Sequence, residues 1–226
     1  MNDVSSIIRL KGIQKWFGNR CVLKDINLRI QPGELITIMG ESGAGKSTLL
    51  NILGFFDDQT MGEYFFKDEP VKKAQQKSEL RNLYMGFVFQ SYNLIPKLTV
   101  YENIALPVYY SANRRRNGRN WLDRIPDLLK QFHIEHIAKS NVEHISGGEK
   151  QRVCLARALV CDAEVIISDE PTGNLDRDNA DAVLNEFINM NRKGKTVIIV
   201  THDKKVETIA TKRYHLENGT LLKYEI

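Results

Sequence analysis

Cysteine is scarce: Cys21, Cys154 and Cys161 are the only three in 226 residues. They form no C-x-x-C pair and no Cys/His metal spacing, which excludes a disulfide scaffold or a zinc ribbon and points to a reduced compartment. Long apolar runs are missing too. Stretches such as Val197 to Val200 fall far short of the roughly 20 residues needed to cross a bilayer, so a membrane role would need another chain to supply the span. The start, Met1 to Ser6, lacks the basic-then-apolar pattern of a secretory signal, and no export is expected. Excess charge of one sign is also lacking, since 32 Lys and Arg against 28 Asp and Glu leave a net +4. That balance does not indicate nucleic acid. The basic cluster Arg114, Arg115, Arg116 and Arg119 has no aromatic residues interleaved as a single-strand stacking platform needs, so it reads as a solvated face, with lipid headgroups or an acidic partner loop as the other option.

What the chain does have is an ordinary globular balance, 42% apolar and 27% charged. Its length suits one α/β domain over residues 1–226, or a core with a subdomain. Ile7 to Phe17 and Val22 to Ile30 read as strands, the second with Ile26, Leu28 and Ile30 alternating. Gly62 to Phe66, Met85 to Phe89, Val165 to Ile167 and Thr196 to Val200 read as further strands, the last two with the continuous apolar character of a buried parallel sheet. Between Gln90 and Ser146 the period becomes helical. Trp121, Ile125, Leu128, Leu129 and Phe132 fall on one face, so an α-helical subdomain over about residues 91–145 is expected between two core strands. Pro126 within that pattern obscures where the helix starts. A helix is expected from Lys150 to Val160, and Tyr214 to Tyr224 reads as a hairpin turning at Asn218-Gly219.

Three motifs carry chemistry. Gly40-Glu41-Ser42-Gly43-Ala44-Gly45-Lys46-Ser47-Thr48 fits G-x-x-x-x-G-K-S between an apolar strand and a helix. Such a loop turns backbone N–H groups onto a polyphosphate, brings Lys46 to the outer phosphates and offers the Ser47 hydroxyl to Mg²⁺. The run Val165 to Glu170 ends in two adjacent carboxylates at the carboxyl end of a strand, where ligands of open α/β sheets gather. Asp169 can hold Mg²⁺, and Glu170 can orient an attacking water toward the γ-phosphate. Ser146-Gly147-Gly148 opens a helix with unpaired N–H groups and a hydroxyl, a second anion-binding arrangement.

In this order, with Gln90 after an apolar strand and His202 after Thr196 to Val200, the motifs resemble the ATP-binding cassette (ABC) ATPases over nearly the whole length. The resemblance implies an α/β P-loop NTPase core with a mainly parallel sheet, an antiparallel β subdomain and an inserted α-helical subdomain. It implies ATP and Mg²⁺ as cofactors, and an ATPase reaction with Glu170, His202 and Lys46 as catalytic residues. By similarity, Phe17 stacks on the adenine with Val22 beside it, and Gln90 touches Mg²⁺ alongside Ser47 and Asp169. Ser146 to Gly148 then contact the γ-phosphate held by the opposite subunit, His202 bonds that phosphate, and Gly173-Asn174-Leu175-Asp176 run between the two sites. Ile145, Glu149 and Phe17 depart from the commonest residues at their positions, although none removes a phosphate contact.

Glu170 to Asp176 and Ser146 to Glu149 resemble the branch of lipoprotein-release, macrolide-efflux and cell-division ATPases. One copy of each motif implies an ATP-dependent homodimer. The resemblance also implies an integral-membrane permease partner, and the apolar and aromatic richness of Ser91 to Tyr110 makes that stretch the expected docking site, through residues such as Leu98 and Tyr101. The expected location is cytoplasmic, on the inner face of the membrane through that permease. Two readings are open: an energy-coupling subunit of an exporter or extractor of a peptide, lipid-linked or drug-like substrate, or a non-transport machine using the same switch for mechanical signalling.

Overall fold

A computed structural model describes residues 5–111, 115–116 and 119–224. Arg114 of the basic cluster and the side chains of Arg115, Arg116 and Arg119 lie outside the described residues, as do residues 1–4 at the start. In chain order the strands are β1 (Ile8–Phe17), β2 (Arg20–Ile30), β3 (Leu35–Met39), β4 (Met61–Phe66), β5 (Glu69–Pro70) and β6 (Met85–Phe89), followed by β7 (Arg115–Arg116), β8 (Arg119–Asn120), β9 (Val165–Asp169), β10 (Thr196–Val200), β11 (Lys212–Glu217) and β12 (Thr220–Tyr224). The helices are α1 (Lys46–Leu53), α2 (Ala74–Tyr84), α3 (Val100–Tyr110), α4 (Ile125–Gln131), α5 (Gly147–Leu159), α6 (Arg177–Arg192) and α7 (Lys204–Glu207).

The central sheet has the order β12-β11-β3-β10-β9-β6, parallel throughout except for β12 at its edge. Its strands are apolar on both sides because both sides are covered. Ile36, Ile38, Val165, Ile167, Ile198 and Val200 face a core shared with α1 and the antiparallel sheet β2-β1-β4-β5. Leu35, Ile166, Val197 and Ile199 point the other way, into a core shared with α3, α4, α5 and α6. This is the P-loop architecture of a mainly parallel core, an antiparallel β layer and an inserted helical layer. Helix α5 approaches β6 so closely that a Cβ at Gly86 would overlap the Ala158 carbonyl. Among the described residues no helix is long and apolar enough to cross a membrane.

Local differences from the sequence pattern have physical causes. The helical spacing over 121–132 is built as a 3-10 turn, Trp121–Arg124, followed by α4 with Pro126 in its first turn. A missing N–H costs nothing there. Helix α5 starts at Gly147, three residues before Lys150, because Ser146 and Glu149 form a reciprocal capping box. Helix α6 is absent from the sequence reading, although Val183, Leu184, Phe187 and Met190 do form a buried stripe. Helix α2 buries no residue fully, so it leaves no apolar stripe to read. The cysteines are free, and burial pushes the Cys154 thiol up to about 11 and Cys161 up to about 12. At ordinary pH both behave as small apolar groups.

Candidate functional site

Strand order decides what meets what. The carboxyl ends of β3, β10, β9 and β6 lie side by side, so the loops leaving them form one continuous rim. The phosphate loop leaves β3, Thr201 and His202 leave β10, Asp169 and Glu170 end β9, and Gln90 follows β6. Ser42, Gly43, Gly45, Lys46, Ser47, Thr48, Gln90, Asp169 and Glu170, with Val22 and Arg20 from β2, line a cleft of about 410 Å³.

The loop depends on Gly45, which caps α1 at φ 105 with Val22 and Leu23 packed where a Cβ would stand. A side chain there would be strained and would clash. Lys46 lies back across the loop, its Nζ donating to the Gly40 carbonyl at 2.6 Å and the Glu41 carbonyl at 2.9 Å. The same ammonium is close enough to oppose the upward push on Asp169, whose carboxyl is raised first by burial and then by the charge of Glu170 beside it. Two crowded carboxylates with a hydroxyl (Ser47) and an amide (Gln90) on one wall are a hard-oxygen donor set. Such a set fits Mg²⁺, which takes few protein ligands and completes its shell with water and phosphate.

Glu170 sits in the left-handed region at φ 44, a costly backbone for a non-glycine residue. Its N–H donates to the Val200 carbonyl at 2.9 Å, so β10 holds the strained turn. Its carboxylate accepts from the Thr201 hydroxyl at 2.8 Å and the His202 N–H at 3.3 Å, and His202 Nδ1 lies 2.7 Å from Oε1. Glu170 has only 13% of its side chain exposed while His202 has 71%, so the histidine covers the acid and presents its other nitrogen outward. Motif order along the chain does not show that Thr201 and His202 clamp Glu170.

Ser146, Gly147 and Gly148 do not line this cleft. They form the N-terminus of α5, where the Ser146 N–H and hydroxyl donate to Glu149 Oε2 at 2.8 and 2.7 Å. Those bonds come first in holding the Glu149 carboxyl below its usual range, with His136 and Arg152 adding charge. Two links tie this end to the cleft. Asn174 Nδ2 donates to the Gln90 carbonyl at 2.9 Å, and Asn179, bonded to Asp176, lies against Gly148. Arg157, unmarked in the sequence, donates from α5 to the Tyr92 carbonyl at 2.7 Å and the Asn93 carbonyl at 2.6 Å. It pins the turn after Gln90, where Tyr92 and Asn93 both have positive φ. Phe17 lies at the end of β1, 53% exposed, with Lys15 Nζ 4.9 Å from its ring centroid, and it is outside the cleft lining.

The fold and this rim define a P-loop nucleoside-triphosphate hydrolase. Residues 23–173 match the family model described as ABC transporter. The macrolide export ATP-binding/permease protein MacB of Pasteurella multocida is 38% identical over 222 residues, 96% of this chain and 34% of that protein. The chain thus spans about a third of that relative's length. The uncharacterized ABC transporter ATP-binding protein YvrO of Bacillus subtilis is 39% identical over 203 residues, 89% of this chain and 87% of that protein. The dimeric structure of MJ0796, a bacterial ABC transporter cassette, superposes with a TM-score of 0.85 at 35% identity, covering 97% of this chain and 99% of that one. A post-hydrolysis dimer of the same cassette bound to ADP and Pi matches with a TM-score of 0.85 at 34% identity, with the same coverage. The chain belongs to the ABC transporter family, and it is an ATP-binding, ATP-hydrolysing cassette of that family.

Proposed function

We propose that this cassette is the nucleotide-binding subunit of an ABC transporter. Two copies close on two ATP molecules, and the closing and opening drive a separate integral-membrane permease that exports or extracts a peptide, lipid-linked or drug-like substrate. The subunit then works at the inner face of the membrane through that permease. The observation that carries this reading is the division of the anion-binding equipment into two parts. The phosphate-loop cleft and the Ser146 end of α5 are both built for phosphate, yet they do not meet within one chain. Two chains arranged face to face bring each Ser146 to the partner's γ-phosphate through one isologous interface.

In this reading Lys46 and the loop N–H groups hold the β- and γ-phosphates, and Phe17 and Val22 hold the base. Ser47, Asp169 and Gln90 would hold Mg²⁺, which would neutralise phosphate charge. Glu170 fixes the attacking water, and His202, leaning on Glu170, reaches the γ-phosphate with its outward nitrogen. Loss of that phosphate removes the contacts that favour the closed pair, and the dimer opens. Analytical ultracentrifugation with MgATP, MgADP and no nucleotide tests the reading. A dimer with MgATP alone is expected, and a monomer in all three conditions would overturn it.

The capping box adds a prediction. Glu149 holds both donors of Ser146 and puts a carboxylate beside the place where the partner's γ-phosphate arrives. Glu149→Gln keeps the cap geometry and removes the charge. The ATP-bound dimer should dissociate several-fold less readily, read from its dissociation constant under non-hydrolysing conditions; a weaker dimer would show that the charge aids closure.

Exposure supports a permease contact on the stretch after Gln90. Within the stretch 91–110, Val100, Ile104 and Val108 are buried, whereas Tyr101 is 37% and Tyr110 78% exposed. Tyr110, Pro107 and Leu106 of α3 join Phe56, Phe87 and Phe89 in lining an apolar groove of about 300 Å³ next to the turn after Gln90. Exposed apolar grooves mark partner sites, and aromatic residues are enriched in interface cores. Tyr110→Asp, in the groove, or Tyr101→Asp, exposed on the same helix, should leave basal ATPase and ATP-driven dimerisation largely intact while abolishing recruitment to, and stimulation by, permease-containing membranes. Wild-type recruitment and stimulation in both variants would remove the site.

A further inference from the structure

We propose that Arg20 is a nucleotide-binding residue whose guanidinium grips the inner, ribose-side phosphate. The inference rests on the reading of Phe17 as the base platform.

Residues Phe17 and Arg20 are direct partners across the β1–β2 turn, which Gly18 permits with φ 56. Direct partners in an antiparallel pair project from the same face, with Cβ atoms about 5 Å apart. Further along β2 the register with β1 shifts between Cys21 and Leu23, and Val22 and Leu23 both pack against Gly45 at the start of α1. β2 therefore leads from Arg20, the partner of Phe17, to the phosphate loop, and Arg20 and Val22 line one cleft with that loop. Arg20 also lines the phosphate-loop cleft and the adjoining cleft of about 400 Å³ bounded by the turn at Asn218 and Gly219, whereas Phe17 lines neither. A nucleotide with its base on Phe17 and its outer phosphates on Lys46 must pass its sugar and first phosphate beside Arg20.

The chemistry suits that position. Lys46 is committed to the outer end of the loop, where it lies across the Gly40 and Glu41 carbonyls. Arg20 is exposed and forms no ion pair with a described carboxylate, so binding would not have to break one. A guanidinium presents a planar fork of donors that matches two phosphate oxygens, and such charge-assisted bonds are strong for their number. A cation at the inner phosphate serves ATP and ADP alike, because that phosphate survives hydrolysis. It therefore retains the nucleotide and does not sense the γ-phosphate.

Binding of ADP and of ATP is measured by titration calorimetry in the non-hydrolysing Glu170→Gln chain, with Arg20→Ala, Arg20→Lys and Phe17→Ala introduced singly. Arg20→Ala should weaken ADP and ATP by the same factor, about tenfold for one lost charge-assisted contact. Arg20→Lys should recover part of the loss, and raising salt should shrink the difference between the wild-type side chain and Arg20→Ala. Because Arg20 is exposed, melting without nucleotide should not change, which separates lost binding from lost folding. Unchanged ADP affinity in Arg20→Ala overturns the proposal, as does a loss confined to ATP. A loss in Arg20→Ala with none in Phe17→Ala removes the base platform and leaves the Arg20 contact standing.

Discussion

Glu170→Gln is expected to bind MgATP as tightly as the parent chain, to hydrolyse it roughly a hundred- to ten-thousand-fold more slowly, and to accumulate as a long-lived ATP-bound dimer. The geometry makes this substitution unusually clean. Gln has the same length, its amide oxygen can still accept from the Thr201 hydroxyl and the His202 N–H, and the backbone bond from residue 170 to the Val200 carbonyl is untouched. The strained turn should therefore persist while the charge that polarises the attacking water is lost. Hydrolysis is measured by phosphate release, and dimer formation by light scattering at saturating MgATP. Near-normal turnover would take the catalytic role from Glu170, and a monomer at saturating MgATP would argue against the paired cassette.

The same residue shows where sequence reading succeeds and where it stops. An apolar strand ending in two acids places Asp169 and Glu170 at the carboxyl end of a parallel strand, and the glycine and lysine spacing places the phosphate loop. Both are local signals, since each motif lies where a strand passes into a loop. The order of β3, β10, β9 and β6 is not local. It decides that Thr201 and His202, more than thirty residues from Glu170, become its hydrogen-bond partners. Arg157 is illegible for a similar reason, because an arginine within a helix gives no sign that it will hold the carbonyls of Tyr92 and Asn93 some sixty residues earlier. Arg20 is legible only as the residue closing a two-residue turn after Phe17, and it takes the fold to show that β2 carries it to the mouth of the cleft. Helix α6 has a legible apolar stripe, whereas α2, which has no fully buried residue, has none.

These non-local contacts also indicate how the two parts of the site can affect each other within one chain. Gln90 is bonded through its carbonyl to Asn174, and the segment that begins there leads through Asp176 and Asn179 to Gly148 beside Ser146. The turn after Gln90 is held to α5 by Arg157, and α5 is the helix that Ser146 caps. In the proposed dimer, a displacement of Gln90 on loss of the γ-phosphate would have two short packed routes to the surface that meets the second copy. Coupling along these routes is an energetic quantity. A double-mutant cycle between Asn174→Ala and Arg157→Lys, read on ATP-driven dimerisation, is the direct measure of it.

Lys46→Ala carries the other large expected effect, a loss of MgATP affinity of about a hundredfold or more. In the proposed reading the ammonium makes charge-assisted contacts to the outer phosphates, each contributing roughly 1.5–3 kcal/mol, and its removal leaves them without their cation. Arg20, the other cation lining the cleft, comes from β2 and is committed in the proposed site to the inner phosphate, so it does not replace Lys46. The substitution has a second consequence. The Lys46 ammonium bridges the Gly40 and Glu41 carbonyls, so its removal deprives the loop of an internal brace and Asp169 of the charge that opposes its raised pKa. Lys46→Met retains the apolar stem and separates packing from charge. Both variants should bind MgATP at least a hundredfold more weakly in calorimetry, and both should fail to dimerise when combined with Glu170→Gln. Melting without nucleotide should shift by no more than a few degrees, because the core beneath the loop, Leu49, Leu50, Ile52 and Leu53, is unchanged. Wild-type affinity in Lys46→Ala would show that the loop N–H groups suffice, and the lysine would then be a brace for the loop and not a ligand for the phosphates.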